Sequence, residues 1–116
     1  MRKDKYPSKG LLPVEKVSEA QVRRSHAELA DGSDQLPELD LHGKTAVEAV
    51  GELESVVAGM NAAGELACRI VHGVGKNILA PAVARRIAEL TEDGIIETSF
   101  PSPKTPAAAI VVVFCP

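Results

Sequence analysis

Two of the chain's three histidines are followed directly by glycine, as His42-Gly43 and His72-Gly73. Each pair ends a short apolar segment, Leu39-Asp40-Leu41 before the first and Ile70-Val71 before the second. Imidazole is the side chain best suited to moving protons near neutral pH. A glycine beside it lets backbone amides approach an oxygen with no Cβ in the way. Two such pairs brought together would set a proton acceptor and a proton donor beside a cluster of N–H groups, the equipment for cleaving a phosphodiester. Asp40 stands two residues before His42, on the same side of an extended strand, where a carboxylate can hold the ring in one tautomer. After the second pair, Gly73-Val74-Gly75-Lys76 reads as a phosphate-facing loop. It is not a Walker loop, since that motif needs G-x-x-x-x-G-K-[ST] and Asn77 stands where the hydroxyl belongs. A single strand-end His-Gly is ordinary turn chemistry. Two at equivalent places point to a site.

The segments around these pairs explain how they would be placed. In LDLH, residues 39–42, apolar and polar residues alternate, so Leu39 and Leu41 face one way and Asp40 and His42 the other. Thr45 and Glu48 then form a T-x-x-E capping box for a helix whose apolar stripe is Ala46, Val50, Leu53, Val57 and Met60, with Gly64 as its C′ residue. Residues 65–73, ELACRIVHG, read as a more deeply buried strand. A second helix follows with Asn77 as its cap, Pro81 in its first turn and a stripe of Ile78 or Leu79, Val83, Ile87 and Leu90, closed by Gly94. IIETSF is a third strand, PSPKTP a turn-rich connection, and AAAIVVVF, residues 107–114, a last strand apolar enough to be central or well covered. Strand–helix–strand units impose parallel pairing, and the short link before the last strand suits an antiparallel return. The expected fold is therefore a two-layer α/β sandwich with a four-stranded mixed sheet in β-α-β-α-β-β order. Both His-Gly pairs then fall at carboxyl ends of parallel strands, just ahead of helix N-termini, where open α/β sheets bind ligands and where free amides favour anions.

Composition narrows the classes. The 116 residues are 45% hydrophobic and 25% charged, the balance of one globular domain. No apolar run approaches the roughly 20 residues that span a bilayer, and the basic start lacks a signal-peptide core. Cys68 and Cys115 match no metal spacing and read as a buried and a terminal thiol in a reducing cytoplasm. Residues 1–36, broken by Pro7, Gly10, Pro13 and Gly32, read as a flexible or partly helical extension to a domain at 37–116. Residues 14–30 carry a weak stripe of Val14, Val17, Ala20 or Gln21, and Leu29, and His26 there is a solvated bystander. The net charge is −3, with +1 on residues 1–36 and −4 on the remainder. Bulk electrostatics would therefore not hold nucleic acid, so any such role must come from a local site or with help from a partner.

Together, Leu39-Asp40-Leu41-His42 and His72-Gly73-Val74-Gly75, each followed by a helix, resemble the L-D-x-H and H-G-x-G signatures of the small MutS-related (Smr) domain family. The resemblance covers roughly residues 36–115. It implies a fold like the C-terminal domain of translation initiation factor 3. It also implies an endonuclease that nicks DNA or cleaves RNA, in recombination control and repair or in handling stalled ribosomes. Asp40, His42 and His72 carry over as catalytic residues. Gly43, Lys44, Gly73, Gly75, Lys76 and Lys104 are the expected phosphate or nucleic-acid contacts. RNA brings its own nucleophile, the 2′-OH, whereas DNA cleavage would call for Mg²⁺ or Mn²⁺ to activate water. Val74 stands where the family often has Lys or Arg, Asn77 replaces a common glycine, and Pro103-Lys104-Thr105-Pro106 replaces a glycine-rich approach to the last strand. Those departures favour an alternative, a non-catalytic module that binds nucleic acid or ribosomes. A weaker third reading is a binder of small phosphate ligands.

Overall fold

The computed structural model describes residues 18–75 and 78–116. Seven elements follow one another: α1 (Glu19–Gly32), β1 (Glu38–Asp40), α2 (Ala46–Ala62), β2 (Ala67–Val71), α3 (Leu79–Glu92), β3 (Ile96–Pro101) and β4 (Ala109–Phe114). The four strands form one sheet in the order β1-β2-β4-β3. β1 and β2 are parallel, with Asp40 opposite Val71, while β4 runs antiparallel to both of its neighbours. The last strand is therefore central, as its apolar run predicts: a strand flanked on both sides and covered on both faces exposes almost none of its side chains. Leu39 and Leu41 are buried while Asp40 and His42 are exposed, so the alternation read from LDLH is realised.

The larger core lies between the sheet and the pair α2 and α3. Leu53, Val57, Ile70, Val83, Ile87 and Val112 are among its buried members. Thr45 caps α2 with the expected box, its side chain accepting from the Glu48 amide at 3.2 Å while the Glu48 carboxylate accepts from the Thr45 amide at 3.0 Å. Gly64 and Gly94 follow the C-caps of α2 and α3 with φ +79° and +80°, the left-handed step that glycine makes without penalty. Asn77, expected to cap α3, lies outside the described residues. The N-cap position is taken by Ile78, which makes no side-chain cap.

Residues from Leu36 onward make the two expected layers. α1 adds cover on the opposite face of the sheet, where Ala27 packs with Ala67, Phe100, Val111 and Val113. The side chains that dock α1 are Arg23, Ala27 and Asp31, spaced by four, which is one helix face. Leu29, expected in the stripe, is 71% exposed, and Val14 and Val17 lie outside the described residues. Arg23 meets Glu97 through two hydrogen bonds of 2.8 and 2.6 Å. Glu97 falls at a break in the β3–β4 register between Ile96 and Thr98, and such an irregularity re-aims a side chain out of the normal alternation. Arg24 lies over the Phe100 ring, 4.7 Å from its centroid. At the helix's other end, Asp31 is fully buried and its Oδ1 accepts from Arg69 Nε at 2.6 Å. Burial alone would raise the Asp31 pKa, but hydrogen bonds from Ser102, Arg69 and the Lys104 amide outweigh it and hold the carboxyl below its usual range. Exposed His26 takes no part in this docking. None of the described helices is long and apolar enough to cross a membrane.

Candidate nucleic-acid interface

Because β1, β2 and β3 run one way and β4 the other, one edge of the sheet collects the ends of three strands and the beginning of the fourth. Register fixes this, with Asp40 opposite Val71, Val71 opposite Ala109, and Pro101 opposite Ile110. His42 and His72 both emerge there. The chain leaves β1 through a four-residue turn closed by the Lys44 amide donating to the Leu41 carbonyl at 3.2 Å. Gly43, third in the turn, has φ +81°, which explains why glycine follows the histidine. Asp40 Oδ1 accepts from the His42 amide at 3.1 Å and from His42 Nδ1 at 2.6 Å. These two bonds, the side-chain one first, hold the Asp40 carboxyl below the usual carboxylate range. An ionised carboxylate only accepts, so Nδ1 carries the proton and Nε2 is left for a ligand.

The second pair is anchored differently, to the same effect. The amides of His72 and Gly73 both donate to the Ala108 carbonyl, at 2.9 and 3.0 Å. His72 Nδ1 lies 2.8 Å from the Gly73 carbonyl. A carbonyl cannot donate, so Nδ1 again holds the proton and Nε2 is again left for a ligand. Gly73 has φ +82°, and a Cβ built on it would stand 3.1 Å from the Cβ of His42. The two His-Gly segments are thus in contact through a glycine that nothing larger could replace unmoved.

Both histidines line one open groove of about 940 Å³, together with Lys44, Val74, Ile78 and Ala107. Two helices start at its wall and differ electrostatically. α2 is capped by Thr45 and carries Glu48 in its first turn, whereas α3 has no side-chain cap and no acid in its first turn. Free amides and dipole without a competing carboxylate make the α3 end the better seat for an anion.

Of the expected contacts, Gly43, Lys44, Gly73 and Gly75 are at the groove, with the Lys44 ammonium 3.6 Å from Glu52. Lys76 lies outside the described residues. The structure places Lys104 elsewhere: its ammonium pairs with Asp34 beside the end of α1, and the connection lines the groove with Ala107 instead. Missing from the sequence reading is the exposed apolar lining of the groove, Val74 at 73% and Ile78 at 66% exposure. The signal was present in Val74 and in the uncapped Ile78, read as a lost charge and as a core residue. Among the described residues, no group of three or more His, Cys, Asp or Glu side chains is placed to hold a metal ion.

The Smr domain model matches residues 39–114, which span both His-Gly segments and most of the chain. The chain belongs to the Smr domain family. Smr domains are nuclease-related nucleic-acid-binding domains. The crystal structure of the Smr domain of Thermus thermophilus MutS2 is similar, with a TM-score of 0.62 and 26% identity. It covers 70% of this chain and 100% of that one. No curated protein sequence matches the chain. The Smr match begins at Leu39, so α1 precedes the matched part.

Proposed function

We propose that this Smr domain is an endonuclease that cleaves RNA phosphodiesters at the sheet edge, using Asp40, His42 and His72. The observation that carries the reading is that both imidazoles line one groove and are each held through Nδ1, which leaves Nε2 of each without a partner among the described contacts. In the reaction His42 Nε2 takes the proton of the 2′-OH, whose oxygen forms a bond to phosphorus. The bond from phosphorus to O5′ breaks, and His72, in its imidazolium form, delivers a proton from Nε2 to the leaving O5′. The products are a 2′,3′-cyclic phosphate and a free 5′-hydroxyl. Asp40 stabilises the imidazolium formed on His42. Amides around Gly43, Gly73 and Gly75 and at the start of α3, with Lys44 and Lys76, meet the phosphate. Lys104 joins them only by leaving Asp34. RNA is favoured because it supplies its own nucleophile, the 2′-OH, whereas DNA would need an activated water. A role in recombination control and repair or at stalled ribosomes, in the cytoplasm, belongs to the same proposal.

The apolar lining at Val74 and Ile78 favours a second reading, recognition of nucleic acid or ribosomes without cleavage. End-labelled single-stranded RNA, duplex DNA and branched DNA, each with Mg²⁺, Mn²⁺ or EDTA, decide between the two. The expected result is RNA cleavage that persists in EDTA and falls by about 10²- to 10⁴-fold in Asp40→Ala/His42→Ala. Binding that survives with no substrate cut selects the second reading.

A further inference from the structure

The hydrogen bonds that hold the second His-Gly pair continue well beyond the groove. The Ala108 carbonyl receives both amides of the pair, and the Ala108 amide donates in turn to the Thr105 carbonyl at 3.0 Å. The Thr105 amide donates to Ser102 Oγ at 3.1 Å. Ser102 Oγ donates to Asp31 Oδ2 at 2.7 Å, and the Lys104 amide reaches the same oxygen at 3.2 Å. The other oxygen of this carboxylate holds Arg69, three residues before His72 on β2, and the Arg69 guanidinium also donates to the Asp31 carbonyl at 2.9 Å. Asp31 therefore grips both structures that determine where His72 and Gly73 stand, the strand that delivers them and the connection that receives their amides. Asp31 and Ser102 are both completely buried, so no water competes for these bonds.

We propose that Asp31 is a positioning residue for the groove, setting the place of His72-Gly73 against His42 through Ser102 and the 102–108 connection. The tolerance is small, because the Gly73 backbone already lies within a methyl group's reach of the His42 side chain. A shift of the connection would be transmitted to the Ala108 carbonyl and from there to both amides. The device comes from α1, an element ahead of the region that matches the family. Its catalytic consequence rests on the cleavage reading above, while its structural consequence stands without it.

The test is amide hydrogen exchange and chemical shift by NMR on the full chain. Asp31→Asn, Ser102→Ala and Ser102→Thr are compared with Val57→Ala, a core variant in the second half of α2, at urea concentrations that equalise global stability. Loss of one hydrogen bond to a charged group corresponds to roughly tenfold to hundredfold in a local opening equilibrium. The His72 and Gly73 amides should exchange faster by about that factor in Asp31→Asn and Ser102→Ala than in Val57→Ala, with shifts moving at His42 and Gly43. Ser102→Thr, which keeps the hydroxyl, should restore the wild-type pattern. Where Asp31→Asn is too unstable to compare, Ser102→Ala carries the test, since it removes one oxygen atom. Exchange at His72 and Gly73 no faster than in Val57→Ala would overturn the proposal and leave Asp31 a purely stabilising group. Displaced amides in a protein whose wild type cuts no RNA would uphold the positioning and sink the cleavage reading instead.

Discussion

Gly43 and Gly73 have almost the same φ, +81° and +82°, yet they should respond differently to an added methyl group. A Cβ on Gly43 meets nothing within 4 Å, so Gly43→Ala incurs only the left-handed conformational cost of about 1–2 kcal/mol. On Gly73 the same methyl presses on His42, so Gly73→Ala should also lower single-turnover cleavage by roughly tenfold to hundredfold through misplacement. Calorimetry on both variants beside that rate separates fold from site, and equal rates would reduce Gly73 to a turn residue. At this scale the Asp40–His42 pair was legible because two residues in a strand share a face. Lys104 was not. Its partner Asp34 is far off in sequence, and only the folded chain brings α1 to the connection.

Among the elements, the least legible interaction is the one between α1 and β2. Arg69 sits in the middle of an apolar strand, where its side chain reaches Asp31, Asp34 and Glu38. Hydrophobic periodicity cannot find a helix whose docking face is Arg23, Ala27 and Asp31, because salt bridges replace the apolar stripe. The other elements were readable for the converse reason, since α2 and α3 bury ordinary stripes against the sheet. Strand order was only half readable: sequence gives neighbours in the chain, whereas β4 inserts between β2 and β3. Arg69→Met should destabilise the protein by about 3–5 kcal/mol by leaving a buried carboxylate without its cation, read as a lower urea midpoint. A pH dependence follows with a definite sign. The folded Asp31 pKa lies below its unfolded value, so its contribution is fully present above about pH 4 and is lost as pH falls through the folded value. Unfolding free energy should therefore drop more steeply for wild type than for Asp31→Asn between about pH 5 and pH 2. Parallel slopes would show that this carboxylate is not what acid attacks.

At the scale of the molecule, and among the described residues, the two faces of the sheet have unequal cover, two helices on one and α1 on the other. A chain beginning at residue 37 would leave Ala67, Phe100, Val111 and Val113 without Ala27 and its helix. Such a chain should aggregate or elute as larger species in size-exclusion chromatography, in contrast to the full chain. The two ends differ as well. The groove occupies the edge where β2 ends, while β4 carries Cys115 to the opposite edge, its amide bonded to the Ile95 carbonyl at 3.0 Å. The other thiol, Cys68, is buried in the core, and burial pushes its pKa up to about 12, which keeps it from forming the reactive thiolate. A maleimide should therefore add once to the native protein and twice after denaturation, as mass spectrometry would count. The native chain thus carries a single addressable attachment point at its far pole, by which it can be tethered or labelled with the groove facing solution.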